Sequence, residues 1–237
     1  MVHIGAFRGE QLYEVEEDPL LRKAHGLDLS LRHVLAGRFV GLEAGLERRF
    51  VETPRQRLYA AARVFVAGDA LGSDLGFARA LVAASYSVAV GAPEGTLLEP
   101  SILAAQVHWG RGSDATPLDE MFAPGGSPEM ELPLRAHQQT HDGTLGATPL
   151  GRSMTLANLE WRRRLVGTPF VQAGLVTFCD LAWIGRTAVQ GDPDHSFQDL
   201  GLGIRIGLGG SSVVRFNYAH GLADGKDAFF FGLNQIF

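Results

Sequence analysis

The run Leu200-Gly201-Leu202-Gly203-Ile204-Arg205-Ile206-Gly207-Leu208 decides how this chain folds. Its even positions are all aliphatic, and its odd positions are glycine or arginine. Side chains alternate across a strand with a period of two, so the run predicts a β-strand with one apolar face and one face of glycine and charge. Gly209-Gly210-Ser211 then predicts a tight turn. Beyond it Val214, Phe216 and Tyr218 alternate with Arg215, Asn217 and Ala219. After a polar connection around Gly221 to Lys226, Phe229, Phe231, Leu233 and Phe237 share one face. Gly232 and Asn234 lie on the other, with Phe230 and Ile236.

The same period runs upstream. Val40, Leu42, Ala44 and Leu46 alternate with Gly41, Glu43, Gly45 and Glu47, and Leu103, Ala105, Val107 and Trp109 with Ala104, Gln106, His108 and Gly110. The runs 57–67, 152–165 and 174–186 also read as strands. The run 75–90 is apolar on both faces, so its facing stays open. The first 35 residues give one strand near the start, with Glu16-Glu17-Asp18 in a connection. The expectation is about nine or ten strands and no amphipathic helix. Connections alternate in character: 209–212 is short, 187–196 is polar and 112–150 is very long. Pro117, Pro124, Pro128, Pro133 and Pro149 mark that last stretch as a loop rather than a hidden helix.

Composition sets bounds. In 237 residues, 46% are hydrophobic and 20% charged, so the chain has the apolar content to fold. A net charge of −5 leaves no footprint for nucleic acid. Thirty glycines point to tight turns or closely packed strand faces, and the single Cys179 forms no internal disulfide. No stretch approaches about eighteen consecutive apolar residues, so no transmembrane helix is expected. The start, Met1 to Arg8, lacks the basic and long apolar regions of a signal peptide. An outer-membrane reading therefore expects an export signal upstream and treats the chain as a fragment.

Short turns at one end, long loops at the other and alternating strands of about ten residues are the signature of a transmembrane β-barrel. A soluble β-sandwich produces the same alternation. Two features favour the barrel: the apolar face persists to Phe237, and arginine recurs opposite it at Arg205 and Arg215. The apolar face then meets lipid, and the glycine and polar face lines the lumen. Arg162-Arg163-Arg164, at a strand end, marks the membrane–water boundary on the periplasmic side. The expected fold is the C-terminal part of an antiparallel transmembrane barrel over 1–237, with a long extracellular loop at about 112–150.

Other motifs carry less. Gly201-x-Gly203-x-x-x-Gly207 superficially resembles a dinucleotide fingerprint, but its glycines lie inside one strand. His137-Gln-Gln-Thr-His141 has the spacing of a zinc helix without its glutamate and sits in a Pro/Gly-rich loop, so both read as adventitious loop histidines. No pattern asks for catalysis, a metal or a cofactor, and no enzyme is expected.

Several segments, in order, carry a resemblance. They are Ser113 to Gly126, Leu134-Arg135-Ala136-His137, Ala157 to Arg162, Val176 to Ala182, Gly201 to Arg205, Arg215 to Ala219 and the terminal Phe237. From about residue 36 onward the chain resembles the barrel of the BamA/TamA-type outer-membrane assembly-factor superfamily, the bacterial surface antigen family, which includes the two-partner secretion transporters. The resemblance implies a sixteen-stranded barrel, usually preceded by periplasmic domains, whose longest loop tucks into the lumen. It also implies that the loop's Arg135 pairs with Glu160 and Asp180 on the two strands that follow. Strand parity puts Asn158, Glu160 and Arg162 on one face, and Asp180 with Ala182 on the lumen face. Asn158, Arg162, Arg205, Arg215 and Asn217 are expected to face the lumen. The chain departs from the family at Ala136 and His137, where a glycine and an aromatic follow the loop arginine, and at Ala182, where a glycine stands.

The function so implied is insertion, assembly or translocation of other proteins at the bacterial outer membrane. The expected partners are outer-membrane lipid, the barrel-assembly machinery and unfolded client proteins. Phe229, Phe231, Leu233 and Phe237 resemble the C-terminal signal by which barrel proteins are recognised for insertion, and equally suit a lipid-facing strand. A passive pore or structural barrel is the alternative, and a soluble β-sandwich binding protein a further one.

Overall fold

The computed structural model describes residues 2–11, 37–91, 100–126, 133–138, 140–141, 144–145, 148–168, 170–187, 193–208 and 212–235. Ten strands form one antiparallel sheet: β1 (Val2–Gln11), β2 (Gly37–Glu52), β3 (Gln56–Ala67), β4 (Phe77–Val90), β5 (Ser101–Gly112), β8 (Gly151–Gly167), β9 (Val171–Thr187), β10 (His195–Leu208), β11 (Ser212–Gly221) and β12 (Asp227–Gln235). Two short strands, β6 (Thr140–His141) and β7 (Thr144–Leu145), pair with each other inside the long connection. Each long strand bonds to its neighbour in sequence, in the order β1-β2-β3-β4-β5-β8-β9-β10-β11-β12. The fold is therefore all-β, an up-and-down meander left open between β1 and β12 among the described residues, as in a partial barrel.

The strands fall where the alternation puts them, and the count agrees with the expected nine or ten. The long connection spans 113–150, because β5 runs to Gly112 and β8 starts at Gly151. Its one helical element among the described residues is the single 3-10 turn Leu118–Glu120. At one end of the sheet the connections are 53–55, 91–100, 168–170 and 209–211; at the other they are 12–36, 68–76, 113–150, 188–194 and 222–226. The turn read at Gly209-Gly210-Ser211, the acidic Glu16-Glu17-Asp18, Ile236 and Phe237 lie outside the described residues.

The two faces differ in kind. One is apolar and bare from β1 to β12: Ile4, Leu46, Val64, Val82, Val107, Leu159, Leu181, Leu202, Phe216 and Phe229 all stand exposed on it. Phe229, Phe231 and Leu233 belong to this face, at 82%, 64% and 65% exposure. The other, inner face is covered near one end by the 113–150 connection. Loop residues Phe122 and Leu134 complete an apolar cluster with Leu81, Met154, Leu156, Ala182 and Ile184. Beside it Phe39, Phe65 and Phe77 pack edge-on and tilted, with ring centroids 5.2–6.5 Å apart. This settles the facing of β4: Phe77 and Leu81 point in, Val82, Tyr86 and Val90 point out. Both of its faces are apolar because its inner face is itself a dry core at that end.

Inner-face glycines leave room for the loop. A Cβ at Gly110 would stand 2.6 Å from the Phe122 ring, and one at Gly112 2.6 Å from the Thr116 hydroxyl. The loop's seat is therefore cut into the strands as missing side chains.

Candidate functional site

The backbone first fixes where the loop lies. Phe122 and Gly151 exchange hydrogen bonds of 2.9 and 3.2 Å, and the Leu134 N–H donates to the Pro124 carbonyl at 2.7 Å. Arg79 on β4 reinforces the entry, pairing with Glu120 at 2.6 Å and stacking over Phe122. These contacts close the loop into a wedge that delivers Leu134-Arg135-Ala136-His137 to the inner face, all four buried.

Strand register sets what they meet there. Asn158, Asp180, Asp199 and Gly221 stand directly opposite one another across β8, β9, β10 and β11. The next inner row is Glu160, Phe178, Gly201 and Ala219. Asp180 and Asp199 are thus like charges facing each other on adjacent strands, an arrangement that destabilises a sheet unless a cation lies between them. Both are fully buried, and the loop supplies what they lack.

Arg135 grips Asp180 with two donors, Nε to Oδ2 at 2.7 Å and Nη2 to Oδ1 at 2.5 Å, and its backbone N–H reaches Oδ2 at 3.3 Å. Its Nη1 donates to Glu160, and the guanidinium lies 3.3 Å above the Phe178 ring. The planar fork is needed here, since an ammonium matches neither the bidentate carboxylate nor the ring face. Asn158 adds a donor to Asp180 at 2.9 Å. Arg162 takes the second oxygen of Glu160 at 2.6 Å, Arg205 stands 3.5 Å from its first, and Arg205 also donates to Asn217 at 2.7 Å. Arg215 lies directly opposite Arg205 in register, on the same face.

The three residues named for locking the loop are therefore in direct contact. The five expected on the lumen side, Asn158, Arg162, Arg205, Arg215 and Asn217, all fall on the inner face around them. Of the C-terminal run, Phe237 lies outside the described residues and the other three stand on the bare face.

Two partners escaped the sequence reading. Asp199 accepts from the Ala136 N–H at 2.7 Å through Oδ2 and meets His137 Nδ1 at 2.8 Å through Oδ1. Asp224, in the β11–β12 connection, meets the other ring nitrogen of His137 at 2.9 Å. His137 is thus not an adventitious loop histidine. It is 4% exposed, packs on Phe197 at 4.5 Å between centroids, and sits where a Cβ on Gly221 would stand 2.7 Å from its ring. Asp199 was legible by parity, since it extends the odd face of β10 by one residue beyond the Leu200–Leu208 run. Ala136 fits because its methyl packs with Val176, Phe178 and Ala219.

Among the described residues no group of three or more His, Cys, Asp or Glu side chains could hold a metal ion. The arrangement offers no nucleophile beside a base; what it does is hold a loop against a sheet by charge. No protein-family model matches the chain, and no curated protein matches it.

Proposed function

We propose that this chain is the C-terminal part of an outer-membrane β-barrel that inserts, assembles or translocates other proteins, working by strand pairing and loop movement rather than covalent chemistry. The observation that carries the reading is the buried fork of Arg135 on Glu160 and Asp180, behind a sheet whose opposite face is apolar across ten strands. A contiguous apolar face of this extent is foreign to a soluble monomer. In hydrocarbon it is the expected exterior, and the charged face becomes the lumen. A loop tied to that lumen by a small set of ion pairs is a movable plug. Arg163 and Arg164, exposed beside a register shift in β8, suit the water boundary at the other end.

The passive-pore reading has its own support. An inner-face cavity of about 560 Å³, lined by Glu47, Arg49, Glu52, Arg57 and Arg162, lies on the sheet beyond the loop. A cavity with such walls suits ions and water.

One experiment separates the readings. The chain is reconstituted into phospholipid vesicles, and the folding rate of a urea-unfolded outer-membrane barrel added from outside is followed alongside ion conductance. Faster client folding supports the assembly role. Conductance with no acceleration leaves only the pore. A chain that does not float with the vesicles removes both.

A further inference from the structure

His137 offers a feature beyond the arginine lock. Both of its ring nitrogens contact carboxylate oxygens, Nδ1 with Asp199 and Nε2 with Asp224. An ionised carboxylate only accepts, so both contacts are hydrogen bonds only when both nitrogens carry protons. A neutral ring must present one lone pair to one of the aspartates. We propose that His137 is a proton-operated latch: as the imidazolium it ties residues 133–138 to β10 and to the β11–β12 turn, and loss of one proton frees the turn while β10 keeps its hold.

The asymmetry follows from burial. Asp199 is fully buried and also takes the Ala136 N–H, so leaving it without a ring donor would strand a charge in the interior. The Asp224 side chain is 37% exposed and stands 3.5 Å from Lys226, so it has water and a second cation to turn to. The neutral tautomer therefore keeps Nδ1–H on Asp199 and gives up Asp224.

Among the described residues, the charged groups around His137 come from β9, β10, β11, β12 and the turn between the last two. From β10 come Asp199 and His195, which stacks on Phe197 at 6.1 Å between centroids. From β9 comes Asp180, already gripped by Arg135. The turn brings Asp224 and Lys226, while His220 of β11 and Asp227 of β12 bond to each other at 2.8 Å. Burial works to lower the imidazole value, but the hydrogen bonds to Asp199 and Asp224 outweigh it and hold His137 above its usual 6.5. A value raised in the folded state means the tie is complete below the ordinary imidazole range and is lost as pH rises through the raised value. Burial likewise opposes ionisation of Asp224, yet its bond to His137 draws it below 3.8, so the tie survives down to acid pH. The latch is thus closed below the ordinary imidazole range and opens as pH rises through the raised value of His137.

This rests on the reading of the loop as a plug only for its consequence; the titration stands on the geometry alone. The test is hydrogen–deuterium exchange on the full chain in dodecylmaltoside micelles from pH 5.5 to 9.5. Protection factors for 133–138 and 221–226 are corrected for intrinsic exchange. The wild type is expected to lose at least ten-fold protection in 221–226 in a single-proton step, with a smaller loss in 133–138. His137→Gln is expected to start weaker at pH 6 and show no step. Asp224→Asn, a change in an exposed turn that leaves the core intact, is expected to move the step to lower pH. A flat wild-type profile, a step that persists in His137→Gln, or an unmoved midpoint in Asp224→Asn would each overturn the proposal. Vesicle flotation of the same samples tells the two readings apart: a chain that titrates as described but does not float keeps the latch and loses the membrane role.

Discussion

At the scale of single residues, the site turns on the mismatch between what the strands present and what a sheet tolerates. Asp180 and Asp199 face each other, and Glu160 stands one inner row away, so without the loop three carboxylates crowd one face. Arg135 resolves this with a fork that serves Asp180 twice and Glu160 once. Removing one partner of a buried ion pair costs about 3–5 kcal/mol, more than most loop contacts return. Arg135→Ala is therefore expected to unseat the loop, and Arg135→Lys to do nearly the same, because a point charge cannot hold both oxygens of Asp180 and stack on Phe178. Chymotrypsin cleavage within 113–150, which holds Phe122, Leu134 and Leu145, should accelerate at least ten-fold in both variants while far-UV circular dichroism stays unchanged. Wild-type protection in Arg135→Lys would show that charge alone suffices. How much of this was readable follows from distance along the chain. Arg135, Glu160 and Asp180 sit in short motifs, and parity alone aligned Asn158, Glu160 and Arg162. His137 meets partners 62 and 87 residues away, and nothing local marks it. Its sequence cues, a histidine four residues on and a departure from the resembled family's aromatic, do not point to carboxylates.

At the scale of elements, the period of two was decisive wherever the faces differ in chemistry. β10 was plain because one face is aliphatic and the other glycine and arginine. β4 was not, because Phe77 and Leu81 make its inner face as apolar as its outer one. No count of hydrophobic residues separates a strand with one polar face from one whose inner face is covered by an apolar loop. The two faces of β10 should answer substitution differently. Leu202 stands on the bare face at 58% exposure, opposite Thr177 and Tyr218. In the proposed membrane setting Leu202→Arg is expected to cost about 2–4 kcal/mol, whereas an exposed site in water usually changes stability by less than about 0.5 kcal/mol. Gly203, its neighbour on the inner face, has no room for a side chain: a Cβ would stand 2.5 Å from the Phe216 carbonyl oxygen. Gly203→Ala is thus expected to cost about 1–3 kcal/mol by overpacking, in micelles and vesicles alike. Guanidinium unfolding in phospholipid vesicles measures both. A neutral Leu202→Arg beside a costly Gly203→Ala would keep the fold and remove the bilayer from around it.

At the scale of the whole molecule, the register makes a prediction about depth that no single strand contains. Trp109, Trp161 and Trp183 all point from the bare face, at 44%, 37% and 41% exposure. Trp109 on β5 and Trp183 on β9 both stand directly opposite Thr155 on β8, one from each side. Trp161 lies six residues further along that same β8 strand. At a rise of about 3.3 Å per residue and a tilt near 45°, six residues separate Trp161 from Thr155 by roughly 14 Å in depth. The tilt also shifts each neighbouring strand, by about 3 Å, moving Trp109 and Trp183 to opposite sides of the Thr155 level. Trp161 should then differ in depth from either by roughly 10 Å or more, while those two stay within about 7 Å of each other. Three single-tryptophan proteins, with the others replaced by phenylalanine, reconstituted in vesicles whose lipids carry bromines at known chain depths, read this directly. The expected pattern is one quenching profile for Trp109 and Trp183, with a small offset, and a clearly displaced one for Trp161. Equal profiles for all three would mean that the sheet lies flat on the lipid instead of standing across it. No quenching at any depth would mean that the apolar face is covered by protein, and the barrel proposal would fall with it.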